Sequence, residues 1–62
     1  MRIKADTKEQ YHLLVWIESK FIMSEIDIEL LSENEIKITD ENNEIMIVTY
    51  TEDGLISKRY RY

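Results

Sequence analysis

The sequence predicts an α+β domain in which a single helix packs on one face of a mainly antiparallel sheet, in the order β-α-β-β-β-β. Two observations carry this prediction: apolar residues follow helical spacing up to about Met23, and they alternate with polar residues after Ser24. The chain has 62 residues, of which 44% are hydrophobic and 34% charged. That composition supports one small core and is too short for two, so residues 1–62 are predicted to form one domain.

The helix begins at a capping box, Thr7-Lys8-Glu9-Gln10. In this motif the Thr7 hydroxyl accepts a hydrogen bond from the Gln10 amide, and the Gln10 side chain reaches back to the start of the helix. Nothing interrupts the helical spacing before Ile22 or Met23, so the helix is predicted to extend that far. The stripe that covers the sheet consists of Leu13, Leu14, Ile17 and Phe21.

Five short segments have the alternation or the β-branched content of strands. The first precedes the helix at residues 1–5, where Ile3 and Ala5 alternate with polar residues. The other four follow the helix at residues 26–30, 36–38, 44–51 and 55–62. The first strand is predicted to join the same sheet by a crossover through the helix.

Two turn signals set the predicted register of the later strands. Asn42-Asn43 and Asp53-Gly54 suit two-residue hairpin loops, because Asn and Gly tolerate positive φ. Loops of that length place Ile38 opposite Ile47, and Ile47 opposite Tyr60. The face under the helix is then predicted to contain Ile26, Ile28, Leu30, Ile36, Ile38, Ile45, Ile47, Ile56 and Tyr60.

The same register turns Met46, Val48 and Tyr50 away from the helix, onto a face that antiparallel sheets normally leave polar. An apolar strip edged by Arg59 and Arg61 is typical of a contact with a second copy or another protein. The alternative is that long basic side chains cover the strip, since about half of any protein surface is apolar.

The helix has a second unusual surface. Its apolar arc is about 200° wide and extends to Tyr11, Val15 and Ile22, beyond what a sheet needs. Either the helix is sunk at the sheet edge or its flank meets another chain. Trp16 lies outside this arc near Met23, and it is either a binding hot spot or a ring folded over the sheet rim.

These surfaces together predict a homodimer, which would also relieve the shortage of core in so short a chain. A two-fold axis needs only one of the surfaces. The predicted partner-binding residues are Trp16, Met23, Met46, Val48, Tyr50, Arg59 and Arg61.

Charge is unevenly distributed along the chain, whose net charge is −5. Residues 25–53 carry one basic and ten acidic side chains, whereas residues 54–62 carry three basic and no acidic ones. The acidic middle disfavours duplex nucleic acid as a ligand. It either solvates the domain or imitates a phosphate backbone that blocks a DNA- or RNA-processing enzyme. The carboxylates of such a mimic are Asp27, Glu29, Glu33, Glu35, Asp40, Glu41 and Glu44.

Weak single-stranded nucleic-acid binding through Lys37, Arg59 and Arg61 is a third alternative. Strand alternation counts against it, because Arg59 and Arg61 lie on one face while Tyr60 and Tyr62 lie on the other. Stacking groups and phosphate-binding groups would therefore not share one platform.

The residue types for catalysis are scarce. The chain has no Cys, one Gly and one His, which leaves His12 without a thiol partner and removes Gly-rich phosphate loops. Residues 40–44 lack the ligand spacing of a calcium loop. We expect no enzymatic activity, no catalytic residue, no cofactor and no bound metal.

The predicted location is the cytoplasm. There is no Cys for disulfides, the longest apolar run is residues 13–17, and residues 2–6 lack the apolar region of a signal peptide. The sequence therefore predicts a small acidic protein-interaction module without a membrane span, an accessory or inhibitory protein of a bacterium or phage.

Overall fold

A computed structural model describes residues 4–61, the last of them through its backbone. One helix lies across a four-stranded antiparallel sheet, which confirms the predicted α+β class. The elements are α1 (Lys8–Lys20), a 3-10 turn (Met23–Glu25), β1 (Asp27–Ser32), β2 (Glu35–Thr39), β3 (Ile45–Tyr50) and β4 (Ile56–Arg61). The strand order is β1-β2-β3-β4, so β1 and β4 are the edges. Of the strand predicted over residues 1–5, Lys4 and Ala5 are not in a strand and the rest lies outside the described residues.

The start of α1 confirms the predicted N-cap. Thr7 has extended backbone angles, and its hydroxyl accepts the Gln10 N–H at 3.0 Å. The Gln10 side chain reaches back one residue further than predicted, because its Oε1 accepts from the Asp6 N–H at 2.7 Å. Its Nε2 donates to the carbonyl of Ser32 at 2.7 Å. Gln10 is only 4% exposed, so this amide ties the helix start to the end of β1.

The helix ends at Lys20, two or three residues earlier than predicted. Phe21 is already extended, with φ −130° and ψ 155°, although its N–H still donates to the Ile17 carbonyl at 2.9 Å. The chain then makes the 3-10 turn and enters β1 after the buried Ile26.

The β2–β3 loop has three residues, 41–43, one more than predicted. The Asp40 N–H donates to the Glu44 carbonyl and the Asn43 N–H donates to the Asp40 carbonyl, each at 3.0 Å. Asn43 has a φ of 64°, as expected for the left-handed residue that follows a type I turn in such loops. The Asp40 carboxylate stabilises the turn by accepting from the N–H groups of Asn42 and Glu44 at 2.8 and 3.0 Å.

The β3–β4 loop repeats this geometry over residues 52–54. The Gly54 N–H donates to the Thr51 carbonyl at 2.9 Å, and the Thr51 N–H donates to the Leu55 carbonyl at 2.8 Å. Gly54 supplies the left-handed position with a φ of 80°. Both predicted two-residue loops are therefore wrong by one residue.

The longer β2–β3 loop inverts β3 relative to the prediction. Ile38 pairs with Met46 and Ile36 with Val48, so the predicted pairing of Ile38 with Ile47 is wrong. Met46 is 7% exposed and Val48 is fully buried beneath the helix. A shift of one residue moves every side chain of a strand to the other face.

The second loop error compensates for the first in β4. Tyr60 pairs with Met46 rather than with Ile47, so Ile56 and Tyr60 stay on the helix face as predicted. Arg59 pairs with Ile47 and stays on the outer face. Only β3 is inverted.

The core lies between α1 and the two central strands. Its buried members are Leu13, Leu14, Ile17, Ile26, Ile36, Ile38, Met46 and Val48. Ile47, which was predicted to join them, points to the outer face and is still only 5% exposed. It lies between Lys37 and Arg59 in the cross-strand row, and long basic stems of this kind cover apolar neighbours.

Adjacent lysine substitutions test the orientation of β3. Val48→Lys places an ammonium in the core and is expected to cost more than about 3 kcal/mol of unfolding free energy. Thr49→Lys places it on the outer face near Glu35 and is expected to change that free energy by about 0.5 kcal/mol or less. Urea unfolding followed by circular dichroism measures both. If Thr49→Lys were the more destabilising substitution, β3 would have the orientation that two-residue loops predict.

The left-handed loop position is tested at Gly54. A Cβ there would meet the Tyr50 hydroxyl at 3.6 Å, an ordinary contact, so the expected cost comes from the backbone. Gly54→Ala should lower the unfolding free energy by about 1–2 kcal/mol. Asn43→Gly, at the equivalent position, should change it by less than about 0.5 kcal/mol. Equal effects in thermal unfolding would contradict the shared geometry.

Candidate protein-interaction surface

Most of the predicted partner-binding residues lie in the core or pack against it. Met46 and Val48 are buried, and Trp16, Met23 and Tyr50 are half-buried and packed against the core cluster. The apolar strip predicted for the outer face is therefore not there. The remaining two predicted residues lie on β4: Arg59 is exposed on the outer face, and Arg61 stands opposite Ile45. The structure does not bring the seven residues together on one surface.

Trp16 closes one flank of the helix. Its ring meets Phe21 edge-on at 6.4 Å between centroids, and the Lys58 ammonium lies 5.6 Å from the indole centroid. Such a cation over an indole is electrostatically favourable. The half-buried ring is folded over the rim of the sheet beside β4, which is the second of the two alternatives for this residue.

His12 packs on Tyr50, with the rings stacked at 5.3 Å and 9°. The Tyr50 backbone makes two hydrogen bonds with Asn34, which lies in the β1–β2 turn. Its N–H donates to the Asn34 carbonyl at 2.9 Å, and its carbonyl accepts from the Asn34 side-chain amide at 3.1 Å. The imidazole therefore belongs to the packing between the helix and the end of β3.

The opposite flank of the helix is open. Tyr11 and Val15 are 59% and 48% exposed on α1, and Ile22, which follows the end of α1, is 63% exposed; we call these three residues the helix flank patch. Tyr11 and Val15 are four residues apart and lie above one another on the helix. They are about 100–140° around the axis from Trp16, measured across the solvent-facing side of the helix that includes the exposed His12. Tyr11 therefore lies on the other side of the buried stripe from Trp16, whereas Val15 points away from the sheet.

The two edges of the sheet differ in charge. On the outer face, Asp27 and Glu29 stand on β1, whereas Arg59 stands on β4. Two ion pairs link these edges to the interior strand β2: Lys37 Nζ lies 3.5 Å from Glu29 Oε1, and Arg59 Nη2 lies 3.1 Å from Glu35 Oε2. The outer face therefore runs from an acidic edge to a basic edge.

The described residues line clefts at opposite ends of the sheet. One has a volume of about 300 Å³ and is lined by Glu9, Glu33, Asn34, Tyr50, Thr51 and Glu52. The other, of about 100 Å³, is lined by Phe21, Ile38, Asp40, Glu44, Ile45, Met46 and Tyr60. Within residues 4–61 no group of three or more His, Cys, Asp or Glu side chains is arranged to hold a metal ion.

No helix in the described part of the chain is long and apolar enough to cross a bilayer. Comparison of the chain with protein-family models, with curated proteins and with solved structures finds no match.

Alanine substitutions distinguish the two flanks of the helix. Trp16→Ala removes a ring packed against the core and is expected to lower the unfolding free energy by about 2 kcal/mol. Val15→Ala removes an exposed side chain and favours the helix, so the change should stay within about 0.5 kcal/mol. Chemical denaturation measures both, and a Trp16→Ala variant as stable as the wild type would place the indole in solvent.

Proposed function

We propose that this protein is a small acidic interaction module that acts by binding another protein through the helix flank patch and has no chemistry of its own. One observation carries the proposal. Tyr11 and Val15 on α1 and Ile22 just after it are left exposed, while the other large apolar residues of the helix are packed. Apolar groups clustered in this way are typical of contact surfaces.

The size of the helix flank patch suggests reversible binding. Full burial of a Val or Ile side chain contributes about 1.5–3 kcal/mol. Val15 and Ile22 together with the Tyr11 ring supply a gross gain of several kcal/mol, which the loss of translational and rotational freedom partly offsets.

The surroundings of the helix flank patch favour a basic partner. Glu18, one helical turn from Val15, is exposed, and the chain carries a net charge of −5. Complementary charge speeds encounter and selects among partners. A second copy of this chain, with a basic β4, is one partner that satisfies this condition. The accessory or inhibitory role and the cytoplasmic location stay predictions from the sequence.

The two nucleic-acid alternatives also stay predictions. For a phosphate mimic, Glu29 and Glu35 are ion-paired with basic residues of the same sheet, which lowers the negative charge that they present. For single-stranded nucleic acid, the same pairs engage Lys37 and Arg59. A mimic predicts partner affinity that falls steeply with salt, and a nucleic-acid binder predicts a mobility shift of an oligonucleotide.

A charge placed in the helix flank patch tests the proposal. Val15→Glu should reduce capture of partner proteins from a bacterial lysate by about tenfold or more, because a carboxylate would be desolvated at the contact. Asn42→Glu adds the same charge in the exposed β2–β3 loop and is the matched control, expected to capture like the wild type. Quantitative mass spectrometry at low and high salt provides the readout.

Capture that is insensitive to Val15→Glu would refute the role of the helix flank patch. If capture is instead lost with rising salt in all three proteins alike, the phosphate mimic is the better description.

A further inference from the structure

We propose that the smaller of the two clefts, at the β2–β3 loop end of the sheet, binds the side chain of a lysine presented by another polypeptide. Its volume is about 100 Å³. Pockets for drug-sized ligands are larger, about 300–1,000 Å³, so this cleft suits a single side chain. The inference goes beyond the proposed function, because the helix flank patch does not line the smaller cleft.

The floor of the smaller cleft is apolar. Ile38, Met46 and Tyr60 pair across β2, β3 and β4 in one row on the helix face. Ile38 and Met46 are buried, whereas Tyr60 is 65% exposed at the end of the row. Phe21, which follows α1, lines the cleft from the helix side. The aliphatic stem of a lysine can lie on such a floor, as lysine stems do on apolar protein surfaces.

Two carboxylates stand at the loop end of this row. Asp40 follows β2 and Glu44 precedes β3, and strand alternation places both on the face of Ile38 and Met46. Their backbones are joined, because the Asp40 N–H donates to the Glu44 carbonyl at 3.0 Å. The ion pairs between described side chains lie on the outer face and include neither residue. Both carboxylates can therefore face an ammonium at the mouth of the cleft.

Asp40 keeps its negative charge although it stabilises the loop. Both of its hydrogen bonds, from the N–H groups of Asn42 and Glu44, are accepted by Oδ1. Among the hydrogen bonds within residues 4–61, none engages Oδ2 of Asp40. A carboxylate has lone pairs on both oxygens, so Oδ2 can accept from a ligand N–H while Oδ1 holds the loop.

The end of α1 also favours a cation. Phe21 is the C-cap of this helix, and the C-terminal end of a helix carries partial negative charge. Residues 40–44 have three acidic and no basic side chains. Lys20, in the last turn, is exposed and does not line the cleft. An apolar floor beside negative charge selects an aliphatic stem with a cationic end, and the compact ammonium of lysine suits the small volume better than the wider guanidinium of arginine.

The proposal is tested with n-butylammonium, which has the side chain of lysine without its backbone. Two-dimensional amide NMR at constant ionic strength should show saturable shifts at Asp40, Glu44 and Met46, with a Kd on the order of ten millimolar. The larger cleft is an internal control, since it is lined by three glutamates and no aliphatic side chain. Its signals should shift less, because exposed carboxylates alone hold a cation weakly.

Two further probes separate the stem from the charge. n-Butanol has a stem of the same length without a charge, and n-propylguanidinium has the side chain of arginine. Each should bind about threefold more weakly than n-butylammonium, or less tightly still. A pentaglycine peptide with blocked ends and lysine in its centre should bind at least as tightly as n-butylammonium.

Matched variants in the β2–β3 loop test the carboxylates. Glu44→Gln should weaken n-butylammonium binding about threefold, the contribution of one exposed ion pair. Glu41→Gln removes the same charge from the same loop outside the cleft and should leave binding unchanged. Adding Asp40→Asn to Glu44→Gln should bring the loss to about tenfold. An amide oxygen at position 40 can still accept both loop hydrogen bonds, and thermal unfolding checks that this variant is folded.

The proposal is overturned by shifts that do not saturate or are equal in the two clefts, by n-butanol or n-propylguanidinium binding as tightly as n-butylammonium, or by equal effects of Glu44→Gln and Glu41→Gln. A lysine peptide that fails where n-butylammonium binds would assign the cleft to a free amine and also overturn it. Val15→Glu should leave these titrations unchanged. Loss of n-butylammonium binding with Val15→Glu-sensitive capture intact removes only the lysine site, whereas saturable binding without any capture removes only the helix flank patch.

Discussion

The conformation of two loop residues determines which side chains this protein buries. Asn43 and Gly54 both have positive φ and close three-residue loops at the two ends of β3. A loop one residue shorter would bring Ile47 under the helix and turn Val48 outward. The Asp40 carboxylate, which accepts two backbone N–H groups of the first loop, favours the longer form. The composition of the core therefore depends on backbone geometry outside it.

Ile47 shows how the outer face accommodates this arrangement. The register leaves an apolar side chain on the side that has no helix, between Lys37 and Arg59. Both basic residues are held by carboxylates, Glu29 and Glu35, which keep their stems across the strand. Exposed ion pairs of this kind contribute little stability by themselves, about 0–1 kcal/mol. Their larger effect is to keep water from Ile47.

The helix connects packing to the proposed function. Trp16 contacts Phe21 and Lys58 at the rim of the sheet. Tyr11 and Val15 are exposed. A chain of 62 residues has little apolar surface to spare for solvent, because its core is small. The exposed apolar groups of this chain include Tyr11 and Val15 on the helix and Tyr60 on β4.

Periodicity in the sequence determined the α+β class, the Thr7 cap, the buried stripe of the helix and the buried faces of β1, β2 and β4. It also indicated the excess apolar arc that includes Tyr11 and Val15. The face of β3 was decided only by the tertiary structure, because residues 45–48 are all apolar and alternation gives no preference for either side. Asn-Asn and Asp-Gly suit both loop lengths, so local turn chemistry did not resolve the choice. The position of Trp16 likewise depended on Lys58, a residue more than forty positions away in the chain that only folding brings to the ring.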